Sequence, residues 1–298
     1  MKLDIKKISE LKREIRIEVD SDDLKVIRDK VLDRINQKVN ISGFRRGKAP
    51  SELIEKRFPE LVKEELLKET IPVYYNKALE QEKLEAVGLP NIKDSQYQKG
   101  TVKFTAELEI KPQIQFDDKV YKHIKLKVSP VNIEDKEIEK FIDQLKEKLS
   151  EFLKKKKEDI DNKFAASWSG YESEEEFRKA INSQLHFNRV IQRRRNLEKE
   201  ITDTLLSKIK FEIPQSLVEE QKKHILTQHI LDLHSRGVPE EEVKKHYDEV
   251  SGKSESIAKE QIKLYYILEE IAKKEYLTYN KDNIYEVVVG FILSNAFK

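Results

Sequence analysis

A chain of 298 residues is long enough for two domains, each with its own hydrophobic core. Its hydrophobic and charged fractions are each 38%, and only 8 Gly and 8 Pro are available for turns, which favours long helices over a compact all-β fold. Because Lys+Arg 58 nearly balance Asp+Glu 56, for a net charge of +2, any affinity for nucleic acid must come from a local basic patch.

Strand and helix patterns are mixed within the first 115 residues. Apolar residues alternate over 12–19, as in a half-buried strand, and again over 101–110, the clearest strand pattern in the chain. Apolar residues at helical spacing predict one helix over 21–39 and another over about 60–84. We therefore predict that residues 1–115 form an α+β domain, in which a small antiparallel sheet packs on helices.

The pattern becomes helical after this domain. Residues 116–157 are predicted to form a linker, with one strand indicated by the alternation over 124–128 and one amphipathic helix after it. Residues 158–298 are predicted to form an extended all-α C-terminal domain, because apolar residues recur there at helical spacing. One of its helices is expected to end at Gly252, since glycine commonly follows the last helical turn.

A basic loop lies between the first predicted helix and Pro50. The cations Arg45, Arg46 and Lys48 stand beside two glycines that permit positive φ, so the backbone can form a tight protruding tip. Such a tip would present guanidinium groups outward to phosphate or carboxylate oxygens, and Phe44 could fill a pocket or stack on a base. The alternative is a solvated turn with Phe44 packed into the domain core. The candidate binding residues are Gly43, Phe44, Arg45, Arg46, Gly47 and Lys48.

No other motif carries comparable chemistry. His224, His229 and His234 are five residues apart, about 140° around a helix, so they do not share a face as zinc-binding pairs do. We expect no metal site, no cofactor and no catalytic residues. The runs Arg193–Arg195 and Lys154–Lys157 could touch RNA, but such runs are more typical of solvated helix faces.

Composition also indicates a compartment. The chain has no cysteine, which excludes disulfides and thiolate metal sites, and residues 1–19 contain no continuous apolar run. We therefore expect neither a secretory signal nor a transit peptide, and a cytoplasmic location. The apolar segment Val287–Leu293 is expected to pack on neighbouring helices; the alternative is an exposed contact for another chain. Trp168 is interpreted as the anchor of a helix junction.

The octapeptide Gly43–Pro50 resembles the ribosome-binding motif of trigger factor, a family of bacterial nascent-chain chaperones. Phe211–Val218 and Ala258–Glu275 resemble later segments of that family, in the expected order. The resemblance implies that the loop contacts a protein and ribosomal RNA of the large subunit beside the exit tunnel. It also implies an ATP-independent chaperone whose C-terminal helices hold unfolded nascent polypeptides and assist folding and, as a further role, export.

The chain departs from this family at one place. Most members insert an FKBP-like prolyl isomerase domain before the C-terminal arms, whereas here Lys154–Lys157 leads directly into Asp161–Ala165, which resembles the segment after that domain. We therefore expect no isomerase domain and no isomerase activity. A homodimer away from the ribosome is left open.

Two other functions are alternatives to the ribosome-associated chaperone. The first is a ribosome- or RNA-associated factor that uses the basic loop without holding clients. The second is a periplasmic chaperone of related helical architecture, which the absence of a signal-like segment disfavours.

Overall fold

The computed structural model describes residues 1–98 and 100–296, and the chain divides into two compact units. Unit 1 consists of Met1–Gln115 and Phe211–Lys263, and unit 2 of Phe116–Lys210 and Leu264–Lys298. Helices from the C-terminal half of the chain therefore contribute to both units. The domain boundaries at 115 and 157 stay predictions.

Unit 1 contains a four-stranded antiparallel sheet with the strand order β1-β2-β4-β3. The strands are Lys2–Lys7 (β1), Lys12–Val19 (β2), Ala86–Gln98 (β3) and Thr101–Ile110 (β4). The predicted strands over 12–19 and 101–110 are confirmed as the two central ones. Their register places Ile15 opposite Ala106 and Ile17 opposite Phe104, so one face of the sheet is apolar.

Two of the helices of unit 1, the first and the third, cover that apolar face. The helices of unit 1 are Ser21–Lys38 (α1), Ser51–Arg57 (α2), Pro59–Glu82 (α3), Gln215–Ser235 (α8) and the first part of Glu240–Lys274 (α9). Tyr74 and Ala78 of α3 pack with Ile15, Ile17 and Phe104 in a buried cluster, the sheet core. Each large apolar side chain buried there stabilises the fold by roughly 1.5–3 kcal/mol.

A second cluster, the loop core, lies between the first three helices. Its buried members are Val31, Leu32, Ile35, Ile41, Ala49, Ile54, Val62 and Leu66. Two of them, Ile41 and Ala49, belong to the connection between α1 and α2. The connection is therefore fixed at both ends by apolar burial.

Helix α8 begins against the sheet. The backbone N–H of Ser216 donates a hydrogen bond to Oε2 of Glu109, on β4, at 2.8 Å. Desolvation by burial raises the pKa of Glu109, but the hydrogen bonds from Ser216 and Gln215 and the charge of Lys12 together outweigh it and hold that pKa below its ordinary value. Gly88 of β3 lies so close that a Cβ there would stand 2.8 Å from Ser216 Oγ.

Unit 2 contains helices and connecting segments but no strand among its described residues. Its helices are Lys119–Lys122 (α4), Asp135–Leu153 (α5), Asn162–Trp168 (α6), Glu174–Lys208 (α7), the last part of α9, and Ile284–Ala296 (α10). Helix α5 starts with a reciprocal capping box between Glu134 and Glu137. The predicted class, an antiparallel sheet packed on helices and then an all-helical C-terminal region, is confirmed.

Two local predictions are wrong. Residues 124–128 form no strand; the N–H of Lys127 donates to a side chain, Oε2 of Glu200 on α7, at 3.1 Å rather than to a strand backbone. Gly252 does not end a helix, since α9 continues through it. A glycine inside a helix costs only about 1 kcal/mol relative to alanine, which a long helix can absorb.

The apolar tail forms α10, which packs on α7 and α4. Val288, Val289 and Ile292 are buried, and no residue from Val287 to Leu293 is exposed. The packed interpretation of this segment is confirmed.

Candidate functional site

The basic loop, residues 42–48, protrudes between two buried anchors. Ile41 and Ala49 are only 5% and 8% exposed, while Ser42 and every cation of the loop are exposed. Burial at both ends fixes where the loop leaves the domain and where it returns. The loop is therefore a short tip on a rigid base.

A polar clasp closes the base of the loop. The buried side chain of Asn36, near the end of α1, donates from Nδ2 to the carbonyl oxygen of Ala49 at 2.9 Å. Its Oδ1 accepts from the N–H of Ala49 at 3.3 Å. The role of Asn36 was not predicted from the sequence. It could have been inferred from a polar amide on the otherwise apolar helix face that Leu32 and Ile35 define.

Both glycines of the loop adopt positive φ, as predicted. Gly43 has a φ of 89° and Gly47 a φ of 78°, a region that residues with a side chain rarely enter. The N–H of Gly47 donates to the carbonyl oxygen of Asn36 at 3.1 Å, which folds the tip back on the end of α1. The N–H of Lys48 donates to the oxygen of Arg45 at 2.9 Å and closes a turn.

The prediction that the guanidinium group of Arg46 points outward is wrong, because this group turns back to the end of α1. Its Nε donates to the carbonyl oxygen of Gln37 at 2.7 Å, and Nη2 lies 3.4 Å from that of Lys38. These carbonyls end α1 and lack partners within the helix, and a cation there also suits the helix dipole. Arg46 therefore caps its own helix.

Three side chains remain at the tip for a partner. Phe44 is 42% exposed, so the alternative that buries it in the core is wrong. Arg45 and Lys48 are exposed, and neither side chain forms an ion pair or hydrogen bond with any described residue. An exposed ring between unpaired cations can bind a surface that offers both anionic oxygens and apolar contacts.

Ion pairs below the tip hold the helices that support it. Arg28 donates from Nε and Nη2 to the two carboxylate oxygens of Glu55 at 2.6 and 2.7 Å, joining α1 to α2. This bidentate bond raises the pKa of Arg28 above its ordinary value. Arg34 donates to Glu69 of α3 at 2.7 Å. These cations are neutralised, whereas the sequence from Gln37 to Ser51 contains no carboxylate, so positive charge concentrates at the tip.

The remaining predicted candidates lie elsewhere in the fold. The rings of His229 and His246 are 6.4 Å apart, and among the described residues no three possible ligands cluster as a metal site requires. Arg194 pairs with Glu198 one turn away at 2.8 Å, as on a solvated helix face. Trp168 is 51% exposed and its ring contacts those of Phe152 and Phe164, and its interpretation as the anchor of a helix junction stays a prediction. None of the described helices is both long enough and apolar enough to span a bilayer.

Two family models match the chain. The model of bacterial trigger factor protein (TF) matches residues 1–145, and that of the trigger factor C-terminus matches residues 173–292. Residues 146–172, which lie between the two matches, contain the end of α5, a short 3₁₀ turn and α6.

Curated relatives agree with these matches. The trigger factor of Streptomyces coelicolor is 32% identical over 152 residues, which are 50% of this chain and 32% of that protein. The trigger factor of Koribacter versatilis is 33% identical over 141 residues, which are 47% of this chain and 32% of that protein. The matched region thus spans about a third of the length of each relative.

A solved structure has the same fold. It comes from work on promiscuous substrate recognition by the trigger factor chaperone in folding and assembly. The superposition has a TM-score of 0.56 at 14% identity and covers 95% of this chain and 87% of the other. The two family models, which match residues 1–145 and 173–292, show that the chain belongs to the trigger factor family.

Proposed function

We propose that this protein is an ATP-independent chaperone that docks beside the ribosomal exit tunnel through its basic loop and holds newly made chains in a folding-competent state. The observation that carries the proposal is the loop itself. In a member of the trigger factor family, Phe44, Arg45 and Lys48 stand exposed on a tip whose base is fixed by burial and hydrogen bonds.

The tip suits a surface made of both RNA and protein. Arg45 can fork onto two phosphate or carboxylate oxygens, Lys48 supplies a second charge, and Phe44 supplies an apolar anchor. Two phosphate contacts give a slope of only about −2 in a plot of log affinity against log salt. Docking is therefore expected to be modest, salt-sensitive and reversible, as suits a factor that must leave when the chain is complete.

The partners follow from this role. They are a protein and ribosomal RNA of the large subunit at the tunnel exit, unfolded nascent polypeptides, and no membrane. The expected location is the cytoplasm. We also propose that the protein has no prolyl isomerase activity, since only residues 146–172 lie between the two family matches.

Co-sedimentation with ribosomes tests the docking step. The double variant Phe44→Ala/Arg45→Ala removes the anchor and one unpaired charge and spares the α1 cap that Arg46 provides. Lys25→Ala/Val26→Ala is the matched control, because it also removes an exposed cation and an exposed apolar side chain, from α1. We expect the first variant to lose co-sedimentation at physiological salt and the control to retain it.

Suppression of aggregation tests the client-holding step. Substoichiometric to equimolar protein should slow the aggregation of an unfolded model protein without ATP. If ribosome binding is retained but aggregation is unaffected, the protein is instead a ribosome- or RNA-associated factor without a client role.

A further inference from the structure

Three aromatic side chains of unit 2 form a partly exposed cluster, the aromatic patch, at the end of α5 and on α6. Trp168 lies 6.2 Å from Phe164 in a stacked arrangement and 6.2 Å from Phe152 in an edge-on one. Phe152 is 75% exposed and Trp168 is 51% exposed. Phe164 packs against the buried cluster of unit 2 and so fixes the patch to the fold.

The core of unit 2 is formed without the exposed rings of Phe152 and Trp168. The core beneath the patch is filled by residues of α5, α6 and α7, such as Ile142, Ala165 and Phe177. Large aromatic rings left in water forgo the stabilisation that burial gives, and contiguous exposed rings mark interaction surfaces. Phe152 and Trp168 are thus available to a partner.

Four lysines, Lys154–Lys157, follow Phe152 directly and are all exposed. None of their ammonium groups forms an ion pair with a described residue. That of Lys155 lies over the ring of Phe164, 5.4 Å from its centroid. Unpaired cations at the rim of an apolar patch favour a partner that carries carboxylates beside large apolar groups.

A polypeptide suits this surface better than a nucleic acid. Trp168 stacks on Phe164 and Lys155 lies over the Phe164 ring, so the ring faces that bases need for stacking are partly occupied. Glu158 and Asp159 follow the lysines and would repel a phosphate chain, which carries charge at every residue. A peptide, by contrast, can carry a carboxylate beside the lysines and uncharged residues elsewhere.

We propose that the aromatic patch and Lys154–Lys157 bind unfolded polypeptide segments in which large apolar side chains are flanked by acidic residues. This rests on the client-holding role proposed above and assigns part of it to specific residues. Contacts of this kind are individually weak, so a held chain can leave and fold.

Trp168 is the single tryptophan of the chain, so its fluorescence reports on the patch directly. The probes are three acetylated 12-residue peptides with two phenylalanines flanked by Glu, Lys or Asn, together with an oligouridylate. We expect a saturable blue shift with the Glu peptide and at least fivefold weaker binding of the Lys peptide. The variant Lys156→Gln/Lys157→Gln should abolish that preference.

Phe152→Ser should weaken binding of the Glu peptide at least fivefold. Phe187→Ser, which alters another exposed ring of the same unit on α7, should leave the affinity unchanged. No saturable shift with any peptide, equal affinity for the Glu and Lys peptides, or a response to oligouridylate alone would each overturn the proposal.

The aggregation assay separates this inference from the proposed function. Suppression of aggregation without a peptide response at Trp168 would reject the patch and leave the chaperone role intact. A peptide response without suppression would support the patch as a peptide site and reject the client-holding role.

Discussion

Asn36 and Ala49 face each other across the base of the basic loop and share two hydrogen bonds, one to the carbonyl oxygen and one from the N–H of Ala49. Both residues are at most 8% exposed, so no solvent can replace these bonds. One side chain of the preceding helix therefore closes the base of the loop that presents Phe44.

Replacing Asn36 should loosen the loop and destabilise the domain. Asn36→Leu keeps the branched shape and the number of side-chain heavy atoms but leaves the N–H and C=O of Ala49 buried without partners, at a cost of about 1–3 kcal/mol. Urea unfolding followed by circular dichroism measures the change. Gln37→Ala is the control, since Gln37 is exposed and contributes only its backbone oxygen to the loop. Equal stability of Asn36→Leu and the wild type would contradict the clasp.

The two arginines of the loop should differ in their effect on ribosome affinity. Arg45 is unpaired, so Arg45→Ala should weaken binding about tenfold, equivalent to ~1.4 kcal/mol. Arg46 is engaged at the end of α1, so Arg46→Ala should have a smaller effect, about threefold or less. Titration of labelled protein with ribosomes at fixed salt measures both. A larger loss for Arg46→Ala would mean that Arg46 makes the main contact.

Gly88 should tolerate no side chain. Its φ is 68°, and a Cβ would stand 2.8 Å from Oγ and 2.9 Å from Cβ of Ser216. Gly88→Ala would therefore displace the start of α8 and weaken the hydrogen bond from Ser216 to Glu109. Gly170→Ala is the matched control, because Gly170 has a φ of 85° but no atom within 4 Å of the Cβ position.

Both variants share the cost of a positive φ, roughly 1–2 kcal/mol. Gly88→Ala should lose a further ~1–3 kcal/mol through the clash. Equal losses in urea unfolding would show that α8 accommodates the methyl group freely.

Glu275 should make unit 2 sensitive to acid. Lys122 and the hydroxyl of Tyr121 hydrogen-bond to its carboxylate at 2.7 and 2.5 Å, and they hold the pKa of Glu275 below its ordinary value of 4.5. A lowered folded-state pKa means that the carboxylate contributes stability above the unfolded-state value. That contribution is lost as the pH falls through the folded-state pKa.

Glu275→Gln tests this effect. The variant should be less stable than the wild type at pH 7, and the difference in free energy of unfolding should shrink progressively below about pH 4.5. Glu286→Gln, at an exposed carboxylate of α10, is the control. A difference that stays constant down to pH 3 would contradict an ionised, bonded Glu275.

Proline-limited refolding tests the proposed lack of isomerase activity. Catalytic amounts of the protein should leave the slow phase of a proline-limited refolding reaction unchanged, because lowering a rotation barrier of ~18–20 kcal/mol requires a shaped pocket around the proline. An authentic prolyl isomerase serves as the positive control. Acceleration with catalytic amounts would refute the proposal.

Sequence patterns identified the central strands but missed the edge strands. β2 and β4 alternate cleanly because one face is buried and the other solvated. β3 contains Gly88, Pro90 and two register shifts, so its apolar residues do not alternate regularly with polar ones. Proline is tolerated there because an edge strand has unpaired N–H positions.

The loop was predictable in backbone but not in side-chain direction. Gly43 and Gly47 predicted backbone of positive φ, since few other residues adopt it. The direction of Arg46 depends on where α1 ends and leaves its carbonyls open, which periodicity fixes only to within a turn. The helix end predicted at Gly252 was wrong for a related reason, because a glycine indicates a helix end only where the following residues also break the helical pattern.

Photo-crosslinking on ribosomes that carry a stalled nascent chain tests docking and client contact in one experiment. A benzophenone amino acid would replace Phe44 at the tip, Phe152 at the aromatic patch, or Val26 as the exposed control on α1. We predict crosslinks from position 44 to a large-subunit component and from position 152 to the nascent chain, both well above those from position 26. Crosslinks from position 44 no stronger than those from position 26 would contradict it.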